Sequence, residues 1–224
     1  GGVTQMGGIL NINGGVADVY ENISFMALSD IKNFVLEGEL IGDVLADSKW
    51  NKESNSVDLF GRLKRDKLET FSFKGNYFPE KERNNLKLNM TFDNTDIGFL
   101  NAFSDPDLYT NIEGILNGNL KITGELVDPV IKGKLDVITA NVKVPMLNVS
   151  FGASGLIHFK HDAFEIKEMI VTDEDGNNAT ASMEINHYNY PKFEAHIAFW
   201  SPTLKTNLMK SKLKMDNMNN EILF

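Results

Sequence analysis

IEGILNGNLKITGELVDPVIKGKLDV, residues 112–137, decides how this chain is to be read. In steps of two, one side carries Ile112, Gly114, Leu116, Gly118, Leu120, Ile122, Gly124 and Leu126. The other carries Glu113, Ile115, Asn117, Asn119, Lys121, Thr123 and Glu125. A period of two, apolar on one side and polar on the other, marks a strand with one face turned away from water. Glycine falls on the apolar side, where it weakens a strand unless the sheet must bend or something must approach the backbone closely.

The same alternation extends in both directions. It appears in Val57, Leu59, Gly61 and Leu63, in Phe71, Phe73, Gly75 and Tyr77, and in Leu86, Leu88, Met90 and Phe92. It resumes in Ile131, Gly133, Leu135 and Val137, in Gly155, Ile157 and Phe159, in Ala179, Ala181, Met183 and Ile185, and in Phe193, Ala195, Ile197 and Phe199. Turn signals stand between the runs: NGG at 13–15, PEKERNN at 79–85, VDP at 127–129, DEDGNN at 173–178 and YNYP at 188–191. The expectation is an all-β chain of successive hairpins, an elongated, curved antiparallel sheet. A loose unit, apolar-x-Gly-x-apolar, recurs in LEGEL (36–40), LFGRL (59–63), IEGIL (112–116), ITGEL (122–126) and IKGKL (131–135), without the fixed period of a propeller or leucine-rich solenoid.

Two segments break the period of two. In TDIGFLNAF, Ile97, Leu100 and Phe103 stand three apart with Thr95 or Asp96 as N-cap, which predicts one short helix near 95–103. It divides N-terminal strands (1–103) from C-terminal strands (104–224) that continue the same sheet. SPTLKTNLMKSKLKM puts Leu204, Leu208 and Met209 in helical register, but fits a strand nearly as well.

Composition excludes several functions. Of 224 residues 42% are hydrophobic, enough to cover one face of a broad sheet; the net charge is −9 with no run of Lys and Arg, so nucleic acid is not an expected partner. With no cysteine, disulfides and thiol catalysis are ruled out. No apolar run approaches the roughly 20 residues of a membrane helix. The first residues, GGVTQMGG, and the last, NNEILF, suggest a piece of a longer protein.

Catalytic constellations do not emerge. His158 and His161 are three apart and fall on opposite sides of a strand; His187 and His196 flank YNYP without a supporting carboxylate or thiol. DEDG at 173–176 lacks the remaining ligands of a calcium loop and is expected to be an acidic hairpin turn. There is no Gly-x-Ser-x-Gly elbow and no phosphate loop. The chain is expected not to be an enzyme, and to need no metal or cofactor.

The order of strands and turns in GNLKITGELVDPVIKGKLDVITANVKVPMLNVSF (118–151) resembles the C-terminal region of the TamB family of AsmA-like envelope proteins. FEIKEMIVTDEDGNNATASMEINH is similar to that family's strand, acidic turn and strand, and VDLFGRLKRDKLETFSFKGNYFPEKERNNLKLNMTFDNTDIGFLNAF to its preceding strands and short helix. The resemblance runs from about Phe34 to Phe224. It implies a U-shaped β-taco with a hydrophobic groove, in an inner-membrane-anchored protein that crosses the periplasm of Gram-negative cells. Its implied role is outer-membrane biogenesis: phospholipid transport between the two membranes, and protein assembly with an Omp85-type barrel. The barrel-docking end of the family is not matched, so barrel binding is expected of a parent protein and not of this stretch.

On that basis the expected lining for phospholipid acyl chains is Leu86, Leu88, Met90, Phe92, Leu116, Leu120, Ile122, Leu126, Leu135, Val137, Ile157, Phe159, Met183, Ile185, Phe193, Ile197 and Phe199. The nine methionines suit variable apolar shapes. Nascent outer-membrane β-strands are a second expected cargo, and the free sheet edges are expected to drive self-association. In an ordinary sandwich the same positions would be a closed core, and sequence alone leaves both open. The alternative is a surface sandwich or solenoid that serves as a structural spacer or binds carbohydrate on Trp200, Tyr188 and Tyr190.

Overall fold

The structure, a computed structural model, describes residues 5–17, 24–103, 107, 109–126, 128–145, 148–189, 192–200 and 211–215. Thirteen strands follow in chain order: β1 (Met6–Ala17), β2 (Ser24–Leu36), β3 (Glu39–Asn51), β4 (Ser56–Arg65), β5 (Leu68–Tyr77), β6 (Leu86–Asp96), β7 (Thr110–Gly124), β8 (Pro129–Val144), β9 (Val149–Phe159), β10 (Ala163–Thr172), β11 (Asn178–Asn189), β12 (Lys192–Trp200) and β13 (Ser211–Met215). Each pairs antiparallel with the next, in one open sheet whose spatial order is the sequence order. At about 4.8 Å per strand the sheet extends about 58 Å from β1 to β13.

The expected all-β architecture is therefore present, and the sheet runs without interruption from the N-terminal to the C-terminal strands. Between β6 and β7 lies one short helix, Gly98–Phe103, of the 3-10 type. A spacing of three between Ile97 and Leu100 suits three residues per turn, and the Leu100 N–H donates to the Ile97 carbonyl at 2.9 Å. Asp96 caps the helix, its Oδ1 accepting from the Gly98 N–H at 2.7 Å.

Three sequence expectations change. NGG at 13–15 lies inside β1 and not in a turn, because Asn13, Gly14 and Gly15 pair with Leu28, Ala27 and Met26. LEGEL is a tight hairpin and not a strand: Leu36 pairs with Glu39, and Glu37 and Gly38 take φ of 49° and 88°, the two positive angles that a two-residue turn needs. In the SPTLKTNLMKSKLKM segment, 211–215 is strand; Leu204, Leu208 and Met209 lie outside the described residues.

Bulges keep the apolar positions on one side. Register shifts between Phe92 and Thr95 in β6, between Val137 and Ala140 in β8 and between Ile166 and Met169 in β10 each reverse the odd–even phase. Asparagine takes positive φ at the irregularities of β2, β6 and β7, Asn33 at 51°, Asn94 at 48° and Asn111 at 53°, a conformation it tolerates better than most residues. At the β2 bulge Asp43 accepts from the Asn33 N–H at 3.0 Å and from Lys32 Nζ at 3.2 Å, which holds its carboxyl below the ordinary carboxylate range.

Apolar-face glycines are explained by what lies across from them. Gly118 stands between Phe92 and Leu135, and a Cβ there would collide with the Lys134 carbonyl; its φ is 142°. At Gly61 a Cβ would strike the Phe73 ring, which lies over it. Large side chains thus fold over small neighbours. Gly118→Val is expected to lower stability by about 2 kcal/mol or more, read from the denaturant midpoint.

The β1 edge carries no protective charge: Met6–Ala17 contains no Asp, Glu, Lys, Arg or Pro. Met6, Ile9, Leu10, Ile12 and Val16 are 55 to 70% exposed. Natural edges are usually blunted by charge or proline, and this one is not. Sedimentation is expected to show association that grows with concentration, and Ile12→Lys to suppress it.

Candidate functional site

Strand pairing assembles the apolar positions into continuous rows that cross the sheet. One runs Ala46, Gly61, Phe73, Met90, Leu120, Gly133, Phe159, Phe164 and Ile185 across β3–β11. Its neighbour runs Val44, Leu63, Phe71, Phe92, Gly118, Leu135, Ile157, Ile166 and Met183. Every member is apolar or glycine. Flanking rows add Leu59, Leu88, Ile122 and Ile131 on one side, and Leu116, Val137 and Gly155 on the other.

Aromatic contacts stiffen the rows. Phe71 and Phe92 have ring centroids 4.9 Å apart, Phe159 and Phe164 6.0 Å, and Phe25 and Trp50 6.2 Å. Among the described residues only Leu86, Leu116, Leu135 and Val137 of the expected lining are fully buried. Leu88, Met90, Phe92, Leu120, Ile122, Ile157, Phe159, Met183 and Ile185 are half-buried. No second sheet closes this face among the described residues, because all thirteen strands belong to one sheet.

Coverage is densest where the 3-10 helix lies. Ile97, 6% exposed, packs with Leu116 and Leu135, and around them sit Phe92, Ile112, Leu120, Ala140, Ile157 and Phe159. The helix touches β7 and also β3, four strands away, so the sheet curves around it. Arg65 of β4 reaches Asp96 at 2.6 Å, and Asn101 accepts from the Ile112 N–H at 2.8 Å. Beside the helix the apolar rows give way to a polar-mouthed cleft of about 640 Å³, lined by Glu39, Leu40, Arg65, Asp96, Gly98, Asn101 and residues Thr110–Ile115.

The structure brings thirteen of the expected lining residues, from Leu86 through Ile185, onto this one face. Leu126 departs from it. β7 ends at Gly124, where φ is 102°, and Leu126 sits in the following turn, 60% exposed, its N–H donating to Asn85 Oδ1 at 3.0 Å. For β12 the backbone pairs Ile197 with Met183, Phe199 with Ala181 and Phe193 with Met215. Sequence reasoning left out of the lining Phe71, Phe73, Leu59 and Leu63, whose alternation it had seen, and Phe164 and Ile166, which precede a bulge that breaks the period.

The remaining candidates form no site among the described residues. His158 lies on the opposite face, across from Lys134 and Glu165, and His161 pairs with its neighbour Asp162 in a turn. DEDG forms the β10–β11 hairpin turn. Asp173 Oδ1 accepts from the Asn177 N–H at 2.8 Å and from the Asp175 N–H at 3.0 Å, and the Asn177 side chain does most to hold that carboxyl below its ordinary range. Tyr190 lies outside the described residues, and Tyr188 and Trp200 are placed by backbone alone. Compared with protein-family models, curated proteins and solved structures, the chain has no significant match in any of the three.

Asp96 both caps the helix and faces Arg65, so its two contributions can be separated. Asp96→Ala is expected to cost about 1 kcal/mol for the cap, and Arg65→Ala less, because that ion pair is more than one-third exposed. Asp96→Asn, which keeps a cap oxygen, is expected to recover most of the loss in chemical denaturation.

Proposed function

We propose that this chain is a non-catalytic lipid-handling module of the cell envelope, whose curved sheet holds phospholipid acyl chains along its apolar face. The observation that supports this reading is that continuous rows of apolar residues and glycine, most of them half-buried, run from β3 to β11 on one open sheet. Domains ordinarily bury such a face against a second layer. Here a mobile apolar guest takes that place.

The energetics fit tails in particular. A sixteen-carbon chain in water costs about 13 kcal/mol at about 0.8 kcal/mol per methylene. A trough that offers an equivalent apolar surface at each successive strand removes much of that cost along its whole length, so a tail can shift from strand to strand without leaving cover. Charged headgroups stay in solvent above it. No bond is made or broken, and no catalytic residue is needed.

This role matches the resemblance to the TamB family and carries its setting with it: a periplasmic stretch of an inner-membrane-anchored protein that passes phospholipid towards the outer membrane. Nascent outer-membrane strands are a second cargo, which would add to the free sheet edges by backbone pairing.

A photo-crosslinking amino acid at Leu120, half-buried on the apolar face, compared with Glu184, exposed on the other, tests the trough in cells. Lipid adducts are expected at position 120 and not at 184. Absence of lipid adducts at 120, and also at Leu88 and Phe159, would mean that this face is sealed in the cell and the lipid reading is wrong.

A further inference from the structure

The face opposite the trough gathers lysines that are scattered in the sequence. Lys74 of β5 is across from Asn89 of β6, which is across from Lys121 of β7, which is directly opposite Lys132 of β8. Lys87 of β6 lies one row to one side and Lys134 of β8 one row to the other. All five are exposed. Four strands and three rows make a patch about 14 Å by about 14 Å.

None of the five is in a salt bridge among the described residues. The nearest acids stand at the margins. Asp58, two strands from Lys87, is bonded to Asn76 at 2.7 Å; Asp47 is two strands from Lys74, across from Phe60; Asp136 is two residues beyond Lys134; Glu165, two strands from Lys134, holds Lys160 at 2.9 Å. Like charges directly opposite in a sheet destabilise it, so the Lys121–Lys132 pair costs stability in the free protein. A net charge of −9 makes such a cluster harder to place by chance.

We propose that this outer face of β5–β8 docks on an anionic membrane surface. The composition selects that partner. Protein interfaces concentrate aromatic residues, Met and Arg at their centre and deplete Lys, whereas the centre here is Lys, Asn and Thr. Single-stranded nucleic acid asks for stacking platforms, and among the described residues the aromatics beside the patch are Phe60, at its rim opposite Lys74, and Phe78, half-buried with the ammonium groups of Lys81 and Lys87 over its ring. Hydrated lysine charges on a broad sheet suit a diffuse layer of headgroups. The chain's acidic groups elsewhere do not prevent contact, because beyond about 10 Å they are screened at moderate ionic strength. The patch is on the face opposite the trough, so its occupancy is independent of what the trough holds.

The test is co-sedimentation of the full chain with phosphatidylcholine vesicles, with and without phosphatidylglycerol. Binding is expected only with phosphatidylglycerol and is expected to fall as salt is added. K121Q/K132Q is expected to weaken it roughly 30-fold, from the contribution of two surface lysines near an anionic leaflet, and K74Q/K87Q similarly. K52Q/K67Q, which changes the net charge equally in two hairpin turns, is expected to change it little. The melting temperature of K121Q/K132Q is expected to equal or exceed that of the parent, which separates lost binding from lost fold. Equal weakening by all three double variants, equal binding to vesicles without phosphatidylglycerol, or no vesicle binding at low salt would overturn the proposal. Capture of a DNA duplex without vesicle binding would assign the patch to nucleic acid instead.

Discussion

Cross-strand register is the constraint on which everything else in this protein rests. In a sheet a slip of one residue sends every side chain of a strand to the opposite face. A two-layer domain resists such a slip through its closed core, but here all thirteen strands belong to one open sheet. Register is held instead by short turns, by asparagine-bearing bulges and by interlocking pairs of large and small residues such as Phe73 over Gly61. The bulges in β6, β8 and β10 keep the face continuous where the sequence changes phase.

That arrangement places stability and binding in opposition. An ordinary fold gains most of its stability by removing apolar area from water, at roughly 25 cal/mol per Å². In this sheet full burial is confined to small clusters, chiefly Ile97, Leu116 and Leu135 beneath the 3-10 helix, while much of the apolar face stays half-covered. The helix serves as a local keystone: it ties β7 to β3 and supplies the cover that a second layer would otherwise give. Any apolar guest that bound the remaining rows would add to folding stability by mass action.

The two faces divide the electrostatics as cleanly as the hydrophobicity. Apart from the polar cleft at the helix, the rows of the trough carry no charge. The charged residues lie on the other face and in the turns, where Asp173 and Glu174 brace the β10–β11 hairpin. One sheet thus presents a lysine patch on its outer face and an apolar surface on its inner face.

Much of this was legible in the sequence. Alternation marked β4–β9, β11 and β12 but not β1–β3 or β10, Ile97 and Leu100 with a capping Asp96 marked the helix, and thirteen of the expected lining residues share one face, because a period of two is dictated by the local geometry of the extended chain. Local geometry also explains the misses. Glycines at 14 and 15 are equally at home in a turn and in a strand, and nothing before Leu126 announces that Gly124 ends β7 until the Asn85 side chain takes the next N–H. Only the tertiary structure decided the register in which neighbouring strands pair. That choice put Phe73 over Gly61, let a helix bridge β7 and β3, and brought Lys74, Lys87, Lys121, Lys132 and Lys134 together from positions that form no run in the chain. Which residues share a strand's face follows from backbone sterics within a few residues, whereas a contact between strands depends on register summed over every turn and bulge between them.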